Sequence, residues 1–209
     1  PVFDARLGRI VSGHGLLQPR VSPAATPEGQ SRYGELHGSS DGIDPYTRAV
    51  SDVYQDLFDE GSFIGKGIYD VDAFESALRN RFPDNRILSH DLIEGCYARS
   101  GVVSDIQLFE HFPQRYLADV SRRHRWIRGD WQIARWCLPT VPRRGPSRRE
   151  RNTLSVLSRW KLLDNLRRSL APACELALLA LGWCLLPRPW LWTLVAILLR
   201  GAPRALALL

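Results

Sequence analysis

The 209-residue chain contains no methionine and opens on Pro1. A translated chain starts with Met, so the expectation is a processed product or an internal piece of something longer. The apolar ending at Leu209 agrees with that expectation. No basic stretch followed by an apolar one opens the chain, so no secretory leader is read there. Cysteine is scarce: Cys96, Cys137, Cys174 and Cys184, with no Cys-x-x-Cys pair. That spacing excludes zinc-ribbon and thioredoxin-type sites and predicts reduced, partly buried thiols. The glycine loop Glu60–Gly67 places Gly67 directly after Lys66. It therefore lacks the Gly-x-x-x-x-Gly-Lys-Ser/Thr order of a phosphate loop. No Asp-x-Asp in a strand setting precedes residue 60, and Asp70-Val71-Asp72 opens a helix instead.

What is present is an ordinary globular mix, 44% hydrophobic and 24% charged, which argues against global disorder and low-complexity architecture. The net charge of +6 hides a division. Residues 1–119 hold 11 basic against 18 acidic side chains, and residues 120–209 hold 17 against 4. A basic half that ends in apolar runs suits a phosphate-bearing ligand or an anionic lipid surface.

Periodicity sets the order of elements. Leu16 to Arg20 reads as a short strand stopped by Pro19, and residues 21–45 as a long Ser/Pro/Gly/Asp loop. Residues 46–59 carry apolar positions three and four apart and read as a helix. A second helix starts at Asp70 and runs to about Phe82. Arg86 to Leu88 is a brief strand-like entry to Ser89-His90-Asp91, followed by a helix from Leu92 that Gly101 ends. Val102 to Leu108 alternates as a strand, and a helix rich in Arg and Trp runs from Tyr116 to Trp136. Residues 139–151 form a Pro/Arg linker, and 152–169 a basic amphipathic helix expected along a membrane surface. Leu170–Leu186, 17 residues with one charge at Glu175, reads as a short transmembrane helix, and Trp190–Leu199 as a second.

Three places carry chemistry. Asp91, after a strand-like entry, could accept a proton from a hydroxyl nucleophile, or could simply cap the helix behind it. Arg122 to Gln132 holds four Arg and two Trp, fit for phosphate and flat rings, or forms a solvated basic helix near a membrane. A nucleic-acid reading is available for that segment, but the acidic half would repel such a ligand, so no nucleic-acid partner is expected. The loop Gly61-Ser62-Phe63-Ile64-Gly65 could bring backbone close to a ligand.

Taken in order, a Gly-Ser loop, Ser89-His90-Asp91 and Arg125-Trp126 resemble the back half of a processive family 2-type glycosyltransferase. Ser89-His90-Asp91 stands where that superfamily has Thr-Glu-Asp. Arg125-Trp126 ends a Gln-x-x-Arg-Trp-like motif whose Gln position holds Arg122. The stretches Asp41–Tyr46, Ala49–Phe58, Gly61–Phe74, Ile87–Ser100 and Arg122–Gln132 look like the cyclic β-1,2-glucan synthases in particular (a family 84 glycosyltransferase domain). The resemblance implies an α/β, GT-A-type domain with a Rossmann-like mixed sheet. It implies inverting transfer of glucose from UDP-glucose to a β-1,2-glucan acceptor. Asp91 would be the general base; Arg125 would steady the diphosphate, Trp126 would stack on the acceptor, and Gly61 and Ser62 would line the acceptor groove. His90 and Arg122 complete the expected substrate-binding set. A divalent cation, Mg or Mn, is implied, with its ligands outside this stretch.

The expected organisation is a partial transferase domain over 1–138, the linker, the interfacial helix and a transmembrane region over 170–209. The partners are UDP-glucose, the glucan, a lipid bilayer and the remaining parts of a larger synthase. The expected setting is a bacterial inner membrane with residues 1–168 cytoplasmic, argued from the Arg-rich sequence before the first apolar run. The alternative is a non-catalytic, membrane-associated scaffold that uses its basic helix on anionic lipid.

Overall fold

The structure, a computed structural model, describes residues 1–24, 31–37, 52–88, 90–145 and 149–206. It divides into two compact units, Pro1–Leu163 and Asp164–Leu209.

The first unit is mixed α/β. Strands β1 (Val2–Asp4) and β2 (Arg9–Ser12) form an antiparallel pair. The long strand β3 (Leu16–Pro23) is followed by the short helices α1 (Arg32–His37) and α2 (Val53–Phe58) and by β4 (Ile68–Tyr69). Next come α3 (Val71–Leu78), α4 (Asp91–Ala98), β5 (Ser100–Glu110) and α5 (Tyr116–Ile133). The central sheet has the order β4-β3-β5, with β4 antiparallel and β5 parallel to β3. Pro19 does not stop the strand. It has no N–H to donate, and the register shifts there: Pro19 pairs with Val103, but Arg20 pairs with Gln107.

Local chemistry sets the helix ends. The Asp52 carboxylate accepts from Tyr54 N and Gln55 N at the start of α2, and the Asp70 carboxylate from Ala73 N at the start of α3. The main core packs Ala77 of α3 and Ile93 and Tyr97 of α4 against Trp136, Val141 and Leu162. A smaller cluster of Leu16, Phe63 and Ala98 lies between the sheet and α4.

Several elements differ from the sequence reading. Residues 86–88 make no strand; the Leu88 N–H donates to Gln132 Oε1 of α5 at 2.6 Å. The helix read from Tyr116 to Trp136 ends as α5 at Ile133 and tightens into a 3-10 turn, Ala134–Cys137. Within the Pro/Arg stretch 139–151, β6 (Thr140–Pro142) pairs antiparallel with β7 (Arg149–Arg151). Of the helix expected over 46–59, residues 46–51 lie outside the described residues, as do Asp41–Tyr46 and Ser89.

The transmembrane expectation is corrected. Among the described residues no helix is long and apolar enough to cross a membrane. The interfacial helix and the first apolar run are one continuous helix, α6 (Val156–Cys184), which starts in the first unit and ends in the second. Its first half carries Arg159, Lys161, Asp164, Arg167 and Arg168. The apolar remainder, with Glu175 inside it, falls short of a roughly 20-residue span. The second run sits in α7 (Pro189–Leu206), where Arg200 and Arg204 follow only ten apolar residues. An inside–outside orientation argued from a first span loses its basis with that span. Within the second unit, Trp183 Nε1 donates to Thr193 Oγ1 and Trp192 packs on Gly182, so α6 and α7 pair through their Trp and Gly positions.

Candidate active site

The glycine loop is built from below. Gln18 lies on the same face of β3 as Leu16 and is fully buried. Its Nε2 donates to Ser62 O at 3.1 Å, and its Oε1 accepts from Ile64 N at 2.6 Å. One amide therefore grips the chain on both sides of Phe63. Lys161 of α6, 1% exposed, clamps the loop's stem. Its ammonium donates to Glu60 Oε1 at 2.9 Å, Glu60 O at 3.1 Å and Gly61 O at 2.7 Å. Gly61 N donates to Ser100 O of β5 at 2.8 Å. Gly61 and Ser62 are consequently buried, and neither offers an atom to an outside sugar. The exposed backbone of the loop is at Gly65 and Gly67.

From Phe63 the loop runs along α4 toward its N-terminus. A Cβ on Gly95 would lie 2.6 Å from Phe63 Cβ, and a Cβ on Gly65 would lie 2.9 Å from Asp91 Cγ. Positions 91 and 95 are one helical turn apart, so the loop follows one face of α4. Gly65 has φ +88, a region that favours glycine. Lys66 forms an ion pair with Glu110 at the end of β5, and burial pulls its ammonium pKa downward.

Asp91 is the first residue of α4 and is partly buried. Its carboxylate makes no hydrogen bond or ion pair with any described residue. Beside it, His90 Nδ1 lies 2.7 Å from Glu94 Oε1. Burial pushes the Glu94 carboxyl up and Asp91 adds to the rise, while His90 pulls it back.

A second cluster sits on α5. Asp119, buried in the first turn, accepts from Tyr33 Oη, Arg122 Nη2 and Arg123 Nε, each at 2.7 Å. Burial alone would raise its pKa; the hydrogen bonds from Tyr33, Arg122 and Arg123 overcome this and hold it below the usual carboxylate value. The Arg122 guanidinium lies 4.7 Å from the Trp126 ring centre and 5.1 Å from that of Phe112. Arg122 is thus spent on Asp119 and on two rings, and it supports Trp126, which is 43% exposed. Arg125 is exposed and has no partner among the described residues. The two clusters are tied through Leu88 N and Gln132 Oε1. Arg125 lies seven residues before Gln132, about 10 Å along the helix axis. No hydrogen bond, ion pair or ring contact among the described residues joins Asp91 directly to Arg125 or Trp126.

Sequence reasoning missed Gln18, Lys161 and Glu60. Gln18 had one legible signal, a polar residue at an inward position of an apolar strand. The Glu60–Lys161 pair spans 101 positions and had none. Asp119 with Arg122 and Arg123 was legible as i,i+3 and i,i+4 pairs.

A divalent cation has one candidate set here. His90, Asp91 and Glu94 are the group among the described residues whose ligand atoms lie within 4.8 Å of one another. The set offers two carboxylate oxygens, which suit Mg or Mn, and one imidazole nitrogen. His90 Nδ1 faces the Glu94 carboxylate, so two of the three groups already pair with each other. Asp70 is spent as a helix cap. No step is derived through a metal.

Compared with known proteins, no family model matches the chain. Over 94% of its length, the chain is 50% identical to part of the cyclic beta-(1,2)-glucan synthase NdvB of Rhizobium meliloti (strain 1021). It is similar to one short region of a cyclic β-(1,2)-glucan synthase. The chain spans 7% of that protein's length. The 200 matched residues include both clusters, because only about a dozen positions fall outside the match. The likeness read from the Ser-His-Asp and Arg-Trp motifs is thereby borne out against NdvB.

Proposed function

We propose that the chain supplies the acceptor and general-base side of a β-1,2-glucan-forming glucosyltransferase. The observation that carries this reading is Asp91. It neither caps α4 nor pairs with a cation, and it is held against the exposed Gly65 backbone. A structural carboxylate would be expected to make one of those bonds.

In this reading the acceptor glucan lies over Gly65 and Gly67. Asp91 takes the proton from the acceptor 2-hydroxyl, whose oxygen attacks C1 of UDP-glucose from the face opposite UDP. The C1–O bond to UDP breaks, and the configuration at C1 inverts. Arg125, with its planar fork free, steadies the departing diphosphate. Trp126, backed by Arg122, stacks on the acceptor ring. His90 and Glu94 flank the base, and their closed pair leaves Asp91 as the free proton acceptor. The 50% identity to a glucan synthase supports both substrates at the level of sugar donor and glucan.

The test is Asp91→Asn in the full-length protein to which this chain belongs, assayed by transfer of labelled glucose from UDP-glucose to a β-1,2-glucan. Loss of the base is expected to lower the rate by about 10²–10⁴-fold with the fold intact by circular dichroism. Near-normal transfer by a folded variant would reject Asp91 as the base.

A further inference from the structure

A cleft of about 400 Å³ opens away from both clusters, between the β1–β2 turn and the chain entering α6. It is lined by Arg6, Leu7, Arg151, Asn152, Thr153 and Leu154. We propose that this cleft is a binding site for a diphosphate group, held between the guanidiniums of Arg6 and Arg151.

Arg6 and Arg151, from separate elements, both line the cleft, and neither forms an ion pair among the described residues. Of the neighbouring acids, Glu150 is committed elsewhere, and Asp4 interacts with the charges of Arg6 and Arg9 without pairing with either. Glu150 pairs with Arg81 and Arg143. Asp4 Oδ1 accepts from the amides of Arg6 and Leu7, which fixes the turn that carries Arg6.

The far wall is preorganised. Asn152 Nδ2 donates to Trp136 O at 2.6 Å and Leu138 O at 2.8 Å, and its Oδ1 accepts from Leu154 N at 3.0 Å. Residues 152–154 therefore hold their shape before any ligand arrives. Leu7 and the buried Leu154 give an apolar floor. Two Arg forks over an apolar floor match two linked phosphoryl groups better than one small anion. The source can be free diphosphate or a diphosphate carried on a nucleoside. The proposal does not depend on Asp91 or on glucosyl transfer.

The experiment titrates the protein with inorganic pyrophosphate, and separately with UDP, following the amide resonances of Leu7 and Thr153 by NMR at low salt. Both are expected to shift, with a Kd near or below about 1 mM. Arg6→Gln and Arg151→Gln are each expected to weaken this binding about tenfold or more, and Arg151→Lys to restore it only in part, because the fork is lost. Both arginines are exposed, so these variants are expected to stay folded; Arg86→Gln, on a turn elsewhere, should leave the shifts unchanged. Equal affinity for pyrophosphate and UDP marks a free-diphosphate site, and tighter UDP binding marks a nucleoside-borne one; both support the proposal. Absence of shifts at 7 and 153, or shifts that survive Arg6→Gln and Arg151→Gln, would overturn it.

Discussion

Gly65 lies against the carboxylate of Asp91 so closely that a Cβ there would meet Cγ and Oδ2 at 2.9 Å. The residue without a side chain and the residue with the free carboxylate occupy one contact. Gly65→Ala must push the carboxylate or the loop, and it must do so at φ +88. The expected outcome is a stability loss of about 1–3 kcal/mol by urea unfolding, with glucosyl transfer falling further than stability explains. Unchanged stability and transfer would show that the contact is slack.

Arg125 and Trp126 should separate in kinetics. Arg125→Lys keeps the charge and loses the fork, so turnover of UDP-glucose should fall while acceptor KM holds. Trp126→Ala removes the exposed ring and the face over Arg122, so acceptor KM should rise. Equal effects of both variants on donor hydrolysis and on elongation would refute the division.

Lys161 holds Glu60 and two carbonyls in a buried place. Lys161→Met leaves the Glu60 carboxylate buried without that partner and is expected to cost about 3–5 kcal/mol, read as a lower urea midpoint. Glu60→Gln with Lys161→Met should recover part of the loss, because Arg99 Nε, 3.9 Å from Glu60 Oε2, alone compensates the buried carboxylate poorly. A double variant no more stable than Lys161→Met would show that the carboxylate's charge is not the burden.

The Asp119 carboxyl is held down by Tyr33, Arg122 and Arg123 against the upward push of burial. A depressed folded pKa gives stability that is present above the unfolded value, about 3.9, and is lost as pH falls through the folded value. The urea midpoint should therefore drop on acidification below about pH 4. Asp119→Asn should be less stable at pH 7 and show a shallower acid slope. An unchanged slope would place the acid sensitivity on other carboxylates.

The sequence by itself determined the motifs and their order, because local chemistry writes them. Asp70 reads as the start of α3, and Asp119 lies one turn from Arg122 and Arg123. The helix from Tyr116 was legible, though it was read to Trp136, and the Ser-His-Asp and Arg-Trp motifs pointed to the glucan synthases. Tertiary structure alone decided which of those residues face outward. Gly61 and Ser62 read as groove residues until Lys161, 100 positions away, and Gln18 pulled the loop's stem under the surface. Such pairings depend on chain closure across the sheet, which no local pattern records. The apolar runs after 170 read as two short transmembrane helices, a reading the structure corrects, since no described helix is long and apolar enough to cross a membrane. Their fate depends on where one helix stops and the next begins, and α6 joins its apolar half to a charged half that no bilayer core would accept.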